Sequence, residues 1–164
     1  MTMKKFIIVM IVACTFAGTA FSQTKAIGVR GGFGAEASYQ HWMGWPQFME
    51  VDLGLDLVGG QGFKLTGTYN WIIAEPAITY NGTWDVYMGP GVSLGYVYDT
   101  KSSDCLASAM AAFVVQFGLE YLPWRHFCIS ADVRPMIGYH FGTKDIYRGG
   151  LMGFIPSIAL RYEF

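Results

Sequence analysis

At 164 residues, with 52% apolar and 14% charged side chains, the chain has the length of a single domain and is too apolar for a disordered tail or a charged adaptor. A formal net charge of -1 and the lack of any basic stripe argue against nucleic acid as a partner. The three cysteines show no Cys-x-x-Cys or Cys/His spacing, so neither a disulfide-stapled framework nor a zinc site is expected, and no cofactor is implied.

The amino terminus reads as a secretory signal peptide. Lys4 and Lys5 precede an apolar run from Phe6 to Ala13, and small residues follow up to Ala20-Phe21-Ser22. The run is well short of the roughly 20 residues a helix needs to cross a bilayer. Residues 1–22 are assigned to the signal peptide and 23–164 to the mature domain, with cleavage after Ser22. A competing lipoprotein signal, Ile11-Val12-Ala13-Cys14, would lipidate Cys14 and leave the Ala20-x-Ser22 site idle. Cleavage after Ser22 takes two of the 11 basic residues and none of the 12 acidic ones, so the mature domain carries nine against twelve. It keeps Cys105 and Cys128, which are expected to be free thiols.

From Ala26 onward the hydrophobic period is two, which predicts strands. The first two segments, Ala26 to Phe33 and Ala35 to Trp42, are diluted by glycine and alanine. In the third, Met49, Val51, Leu53 and Leu55 oppose Glu50, Asp52, Gly54 and Asp56. In the fourth, Phe63, Leu65, Tyr69 and Trp71 oppose Lys64, Thr66, Thr68 and Asn70. The fifth runs from Trp84 to Tyr96 with Asp85 and Tyr87 on its polar side, and the sixth from Phe113 to Tyr121 with Gln116 and Glu120. In the seventh, Ile129 to Phe141 alternates with Ser130, Asp132, Arg134 and His140. The eighth ends the chain: Phe154, Pro156, Ile158, Leu160, Tyr162 and Phe164 oppose Ser157, Ala159, Arg161 and Glu163.

Alternation alone does not separate a soluble sandwich from a membrane barrel. An exported chain with mean hydropathy +0.31 and aromatics at many strand ends points to the barrel, with apolar side chains towards lipid and polar ones inside. The fold class is therefore all-β: a closed, antiparallel, up-and-down transmembrane barrel of eight strands. Its lumen is expected to hold Arg30, Lys64, Arg134 and Arg161 with Glu36, Glu50, Asp52, Asp56, Asp85, Glu120, Asp132 and Glu163. Eight strands enclose a space that side chains just fill, which disfavours a wide channel.

The chain resembles the small outer-membrane β-barrels of diderm bacteria, of the eight-stranded OmpA-like type. The resemblance rests on the alternating segments, on Gly28-Val29-Arg30-Gly31-Gly32, Tyr87-Met88-Gly89-Pro90-Gly91 and Gly118-Leu119-Glu120-Tyr121, and above all on the terminus Leu160-Arg161-Tyr162-Glu163-Phe164. It implies that Leu160, Tyr162 and Phe164 form the signal read by the barrel-assembly machinery, and that both termini are periplasmic. Periplasmic turns then fall at 43–47, 73–83 and 122–126, and external loops at 32–34, 58–62, 99–110 and 142–153. In that register Trp42, Trp45, Trp71, Trp84 and Trp124 gather near the periplasmic interface with Tyr121, Tyr162 and Phe164, as an aromatic girdle would. The turn at 73–83 is long for this side of a barrel. Pro90, Pro135 and Pro156 should each mark a bulge or a missing ladder bond.

The main expectation is a non-enzymatic structural or interaction component of the outer membrane, alone or as an accessory subunit. Its partners would be outer-membrane lipid, the assembly machinery and other outer-membrane proteins. Two alternatives come from other classes. One is a lipid-modifying enzyme with His140 as base near Ser102, Ser103 and Asp104; the other is a narrow cation-selective pore along the acidic lumen. The acid cluster Glu50, Asp52 and Asp56 has oxygen ligands suited to a cation, but a charge-paired interior network is the preferred reading.

Overall fold

A computed structural model of the protein describes residues 24–32, 34–56, 62–98, 107–142, 146–149 and 156–164. Residues 1–22, expected to be a signal peptide, with Cys14 among them, and residues 99–106 lie outside these. The strands are β1 (Lys25–Gly31), β2 (Gly34–Gly44), β3 (Gln47–Asp56), β4 (Gly62–Ala74), β5 (Thr83–Tyr98), β6 (Ala107–Trp124), β7 (Phe127–Val133), β8 (Met136–His140), β9 (Ile146–Gly149) and β10 (Ser157–Glu163).

All pairings are antiparallel, and each strand from β1 to β6 pairs with the next. β7 and β8 both pair with β6 in one continuous register, from Tyr121↔Ile129 to Met110↔His140, so together they are the seventh stave. β9 pairs with β8, and β10 with β7, as the eighth. β10 then pairs with β1, from Ala26↔Glu163 to Gly31↔Ile158, which closes the ring. Closure gives β1 and β10 two partners each, while β9 pairs only with β8 among the described residues; a closed ring suits a sheet in hydrocarbon, where no water bonds free N–H and C=O groups.

Side-chain direction follows the sequence parity in every stave. In β10 the burial alternates strictly, with Ser157, Ala159, Arg161 and Glu163 buried while Ile158, Leu160 and Tyr162 are exposed. The sign is opposite to that of a soluble domain: the buried residues are mostly polar or charged, and the large exposed ones are apolar.

Close approach of neighbouring strands requires glycine at several positions, tightest at Gly28 and Gly89. A Cβ on Gly28 would sit 1.9 Å from the Leu160 carbonyl oxygen, at the seam where β1 meets β10. One on Gly89 would sit 1.9 Å from the Tyr69 carbonyl oxygen.

Pro90 and Pro135 interrupt the ladders as expected, whereas Pro156 falls just outside its strand. The β4–β5 ladder skips the two pairs between Thr68↔Gly91 and Trp71↔Met88, where Pro90 has no N–H to give. Pro135 separates β7 from β8 while its carbonyl still accepts from the Val115 N–H at 3.1 Å. Pro156 immediately precedes β10.

Several boundaries differ from the sequence reading. Residues 107–110, expected in an external loop, extend β6, because Tyr98↔Ala107 pairing carries the hairpin outward through an alanine-rich stretch whose alternation is weak. Residues 146–149, also expected in a loop, form β9 against β8. At the other end the strands run further into the predicted turns, leaving Trp45-Pro46, residues 75–82 and Arg125-His126 as connections.

Candidate functional site

The interior is the region of unusual chemistry. Its centre is Glu50 on β3, 1% exposed, whose Oε1 accepts from three guanidinium groups. Arg134 Nη2 and Arg161 Nη2 lie at 2.6 Å, and Arg30 Nη2 is the third donor. Arg30 also bonds Asp132, and Arg134 Nη1 lies 2.5 Å from Asp52 Oδ2. The seventh and third staves are diametrically opposite in an eight-stave ring, so the Arg134–Asp52 pair spans the lumen.

Around this centre the network extends both ways. Towards the outer end, Lys64 Nζ lies 3.4 Å and Arg134 Nη1 3.7 Å from the Glu36 carboxylate. Towards the end where the termini meet, Arg161 Nη1 lies 3.4 Å from Glu120 Oε2, which also accepts from Gln40 Nε2 at 3.4 Å. Arg161 further donates to Ser38 Oγ at 2.9 Å and Ser130 Oγ at 2.8 Å. Asp85 faces Glu120 across the β5–β6 pair and Glu163 is buried nearby in β10, both at the inner mouth. The side chain of Asp56 lies outside the described residues. Buried charges at this density are tolerable only when paired, since an isolated ion in a dry medium costs several kcal/mol.

A count of charges misses the uncharged members. Gln116 is fully buried; its Oε1 accepts from Thr68 Oγ1 at 2.6 Å and Asn70 Nδ2 at 3.2 Å, and its Nε2 donates to Glu50 Oε2 at 3.3 Å. Tyr87 OH donates to Asp132 Oδ2 at 3.1 Å. All of these residues sit on the polar parity of their segments, which is the signal that finds them.

Two apolar clusters flank the network inside the barrel. Val97, Met110, Ala112, Val114 and Met136 pack in the outer half on the β5, β6 and β8 side. Phe48, Ile72 and Tyr87 pack towards the inner mouth, with the Phe48 and Tyr87 rings 5.2 Å apart. Trp42, expected in the girdle, packs against this cluster with its ring 5.0 Å from Phe48. Trp42 has the inward parity of Gln40 and Ser38, and its half-buried ring lies against the interior cluster at the end of the barrel that holds the other tryptophans.

The other residues expected in a girdle lie at the end where Lys25 and Phe164 exchange backbone hydrogen bonds of 3.2 and 2.8 Å. Trp45 and Trp124 are largely exposed, as is Phe164, while Trp71 is exposed beside Tyr69. Trp84 stacks on Tyr121 with centroids 4.3 Å apart, and Tyr162 meets Phe127 edge-on at 5.5 Å. Leu160, Tyr162 and Phe164 all point outward from β10.

His140 is buried on the inward face of β8, and its Nδ1 lies 3.1 Å from Ser108 Oγ. The hydroxyl beside it is thus Ser108; Ser102, Ser103 and Asp104 lie outside the described residues. Among the described residues, no group of three or more His, Cys, Asp and Glu side chains is arranged to hold a metal ion, and Cys128 is buried and free.

No protein-family model matches the chain, and no curated protein matches it. Among solved structures it is similar to the N-terminal β-barrel domain of Pseudomonas aeruginosa OprF. The match covers 87% of this chain and 96% of that one, with 11% identity and a TM-score of 0.59. At that identity the likeness is one of fold. The chain has the closed eight-stranded antiparallel architecture of the OmpA-like barrels.

Proposed function

We propose that the chain is an integral barrel of the bacterial outer membrane that serves as a non-enzymatic structural or interaction component, alone or as an accessory subunit of a larger complex. The observation that carries this reading is the inverted burial. Ile27, Val29, Leu53, Leu94, Ile137, Ile158 and Leu160 are each more than half exposed around the ring, while Arg30, Glu50, Asp132 and Arg161 are buried. In water such a surface would aggregate; in hydrocarbon it is the favourable arrangement.

The interior supports a structural role. At the level of Glu50 its cross-section is occupied by paired guanidinium and carboxylate groups, and apolar side chains fill the space to either side. The partners that fit are outer-membrane lipid around the barrel, the assembly machinery at the Leu160, Tyr162 and Phe164 terminus, and neighbouring outer-membrane proteins. The test is expression of the full chain followed by membrane fractionation and gel mobility with and without boiling. Recovery from the outer membrane with a heat-dependent mobility shift is expected. A soluble protein with one mobility would overturn the reading.

A further inference from the structure

The long connection between β4 and β5, residues 75–82, is tied to the barrel rim along its whole length. Trp45 Nε1, on the neighbouring turn, donates to Glu75 Oε1 at 2.9 Å. Trp84 Nε1 donates to Thr79 Oγ1 at 2.8 Å, and the Tyr121 hydroxyl donates to the Asn81 carbonyl oxygen at 3.0 Å. Within the loop, Ile78 N donates to Pro76 O at 2.9 Å and Thr79 Oγ1 to Asn81 O at 2.7 Å. Gly82 turns the chain back into β5 at φ 81°, where a Cβ would strike the Leu122 carbonyl oxygen and the Tyr121 ring.

Trp84 and Tyr121 sit on the outward parity of β5 and β6, so the loop's second half is held by outward-facing rings and lies beside the lipid-facing wall of the barrel. Its Thr79 hydroxyl and Asn81 carbonyl accept hydrogen bonds from the rim, and its one charge, Glu75, accepts from Trp45. Its large apolar and aromatic side chains are directed outward: Ile78 is 57% exposed, and Tyr80 is fully exposed.

We infer that residues 75–82 form a fixed interfacial wedge that inserts Ile78 and Tyr80 into the headgroup–acyl boundary of the periplasmic leaflet, with phospholipid as the occupant. The argument rests on the membrane-barrel reading above. The loop is continuous with the apolar outer wall, carries a single acid, Glu75, at its start beside the rim, and places a tyrosine and an aliphatic residue at the end of the molecule that holds the tryptophans. That composition suits a leaflet boundary, where amphipathic rings are stable. It also accounts for the length of a turn that a plain hairpin would make in two to five residues.

The test is site-directed spin labelling of Ile78→Cys and Tyr80→Cys, each in a Cys105→Ser background of the mature protein, in phosphatidylethanolamine/phosphatidylglycerol nanodiscs. Leu160→Cys serves as the lipid-facing reference, and native heat-dependent mobility is required of each variant. Labels at 78 and 80 more accessible to oxygen than to a water-soluble nickel chelate, at a depth of about 5–10 Å, are the expected result. Nickel-accessible labels at 78 and 80 beside an oxygen-rich label at 160 overturn the wedge alone. A nickel-accessible label at 160 overturns the barrel reading and the wedge with it.

Discussion

Arg161 Nη2 and Glu50 Oε1, 111 residues apart in sequence, meet at 2.6 Å inside the barrel. Two strands, β1 and β2, separate them on the ring, so their contact exists only once β10 has closed onto β1. The pair therefore reports closure, and the charged interior and the barrel wall form together.

Removing Glu50 takes the shared acceptor from three buried guanidinium groups and leaves them Asp132, Asp52 and Glu120 as charged partners. Glu50→Ala is expected to destabilise the folded barrel by about 3–5 kcal/mol, the usual cost of breaking a buried pair from one side. Reversible urea unfolding in detergent micelles measures it. A variant as stable as the natural chain would show that the network contributes no net stability.

The wall makes a separate prediction. Leu160→Arg puts a cation on the lipid face, and a loss of about 2–4 kcal/mol is expected if this position lies near the bilayer midplane. Folding equilibria in lipid vesicles read this directly. A neutral effect here and at Leu94→Arg, in β5 on the far side of the ring, would mean that water bathes the exposed face.

Strand parity alone laid out most of this architecture. The alternation in β3, β7 and β10 placed Glu50, Asp132 and Arg161 on one side and their apolar neighbours on the other, and the structure keeps every one of those sides. What parity could not supply was the ends. The stretch Ala107, Ser108, Ala109, Met110 has too little contrast to look like a strand, and only pairing with β5 makes it one. β9 is four residues beside a proline-broken stave, too short for a period to register. Nearness to a turn places Trp42 at the rim, while its parity sets its ring against Phe48. The role of Gln116 depends on which residues face it across the lumen, which sequence spacing does not encode.

Gly28 should be intolerant of any side chain. Gly28→Ala drives a Cβ into the Leu160 carbonyl at the closing seam, so a loss of about 1–3 kcal/mol is expected from overpacking. The heat-dependent mobility shift should weaken in step. Gly31→Ala, where a Cβ meets open space, is the control and should behave as the natural chain does.

The filled cross-section also predicts electrical silence. Planar-bilayer recordings of the purified protein should show no steady conductance, because the Arg134–Asp52 pair spans the lumen and Glu50 is held by three cations. A stable, cation-selective current would support the pore alternative.

The central claim is that hydrocarbon contacts the exposed parity of each strand. Labelling the unmodified protein in bilayers with a lipid-soluble photoactivated carbene, read residue by residue along β10, tests it most directly. Adducts on Ile158, Leu160 and Tyr162, with none on Ala159 and Arg161, are the predicted pattern. Labelling of Ala159 and Arg161 in place of Ile158 and Leu160, or no labelling of β10 at all, would contradict it.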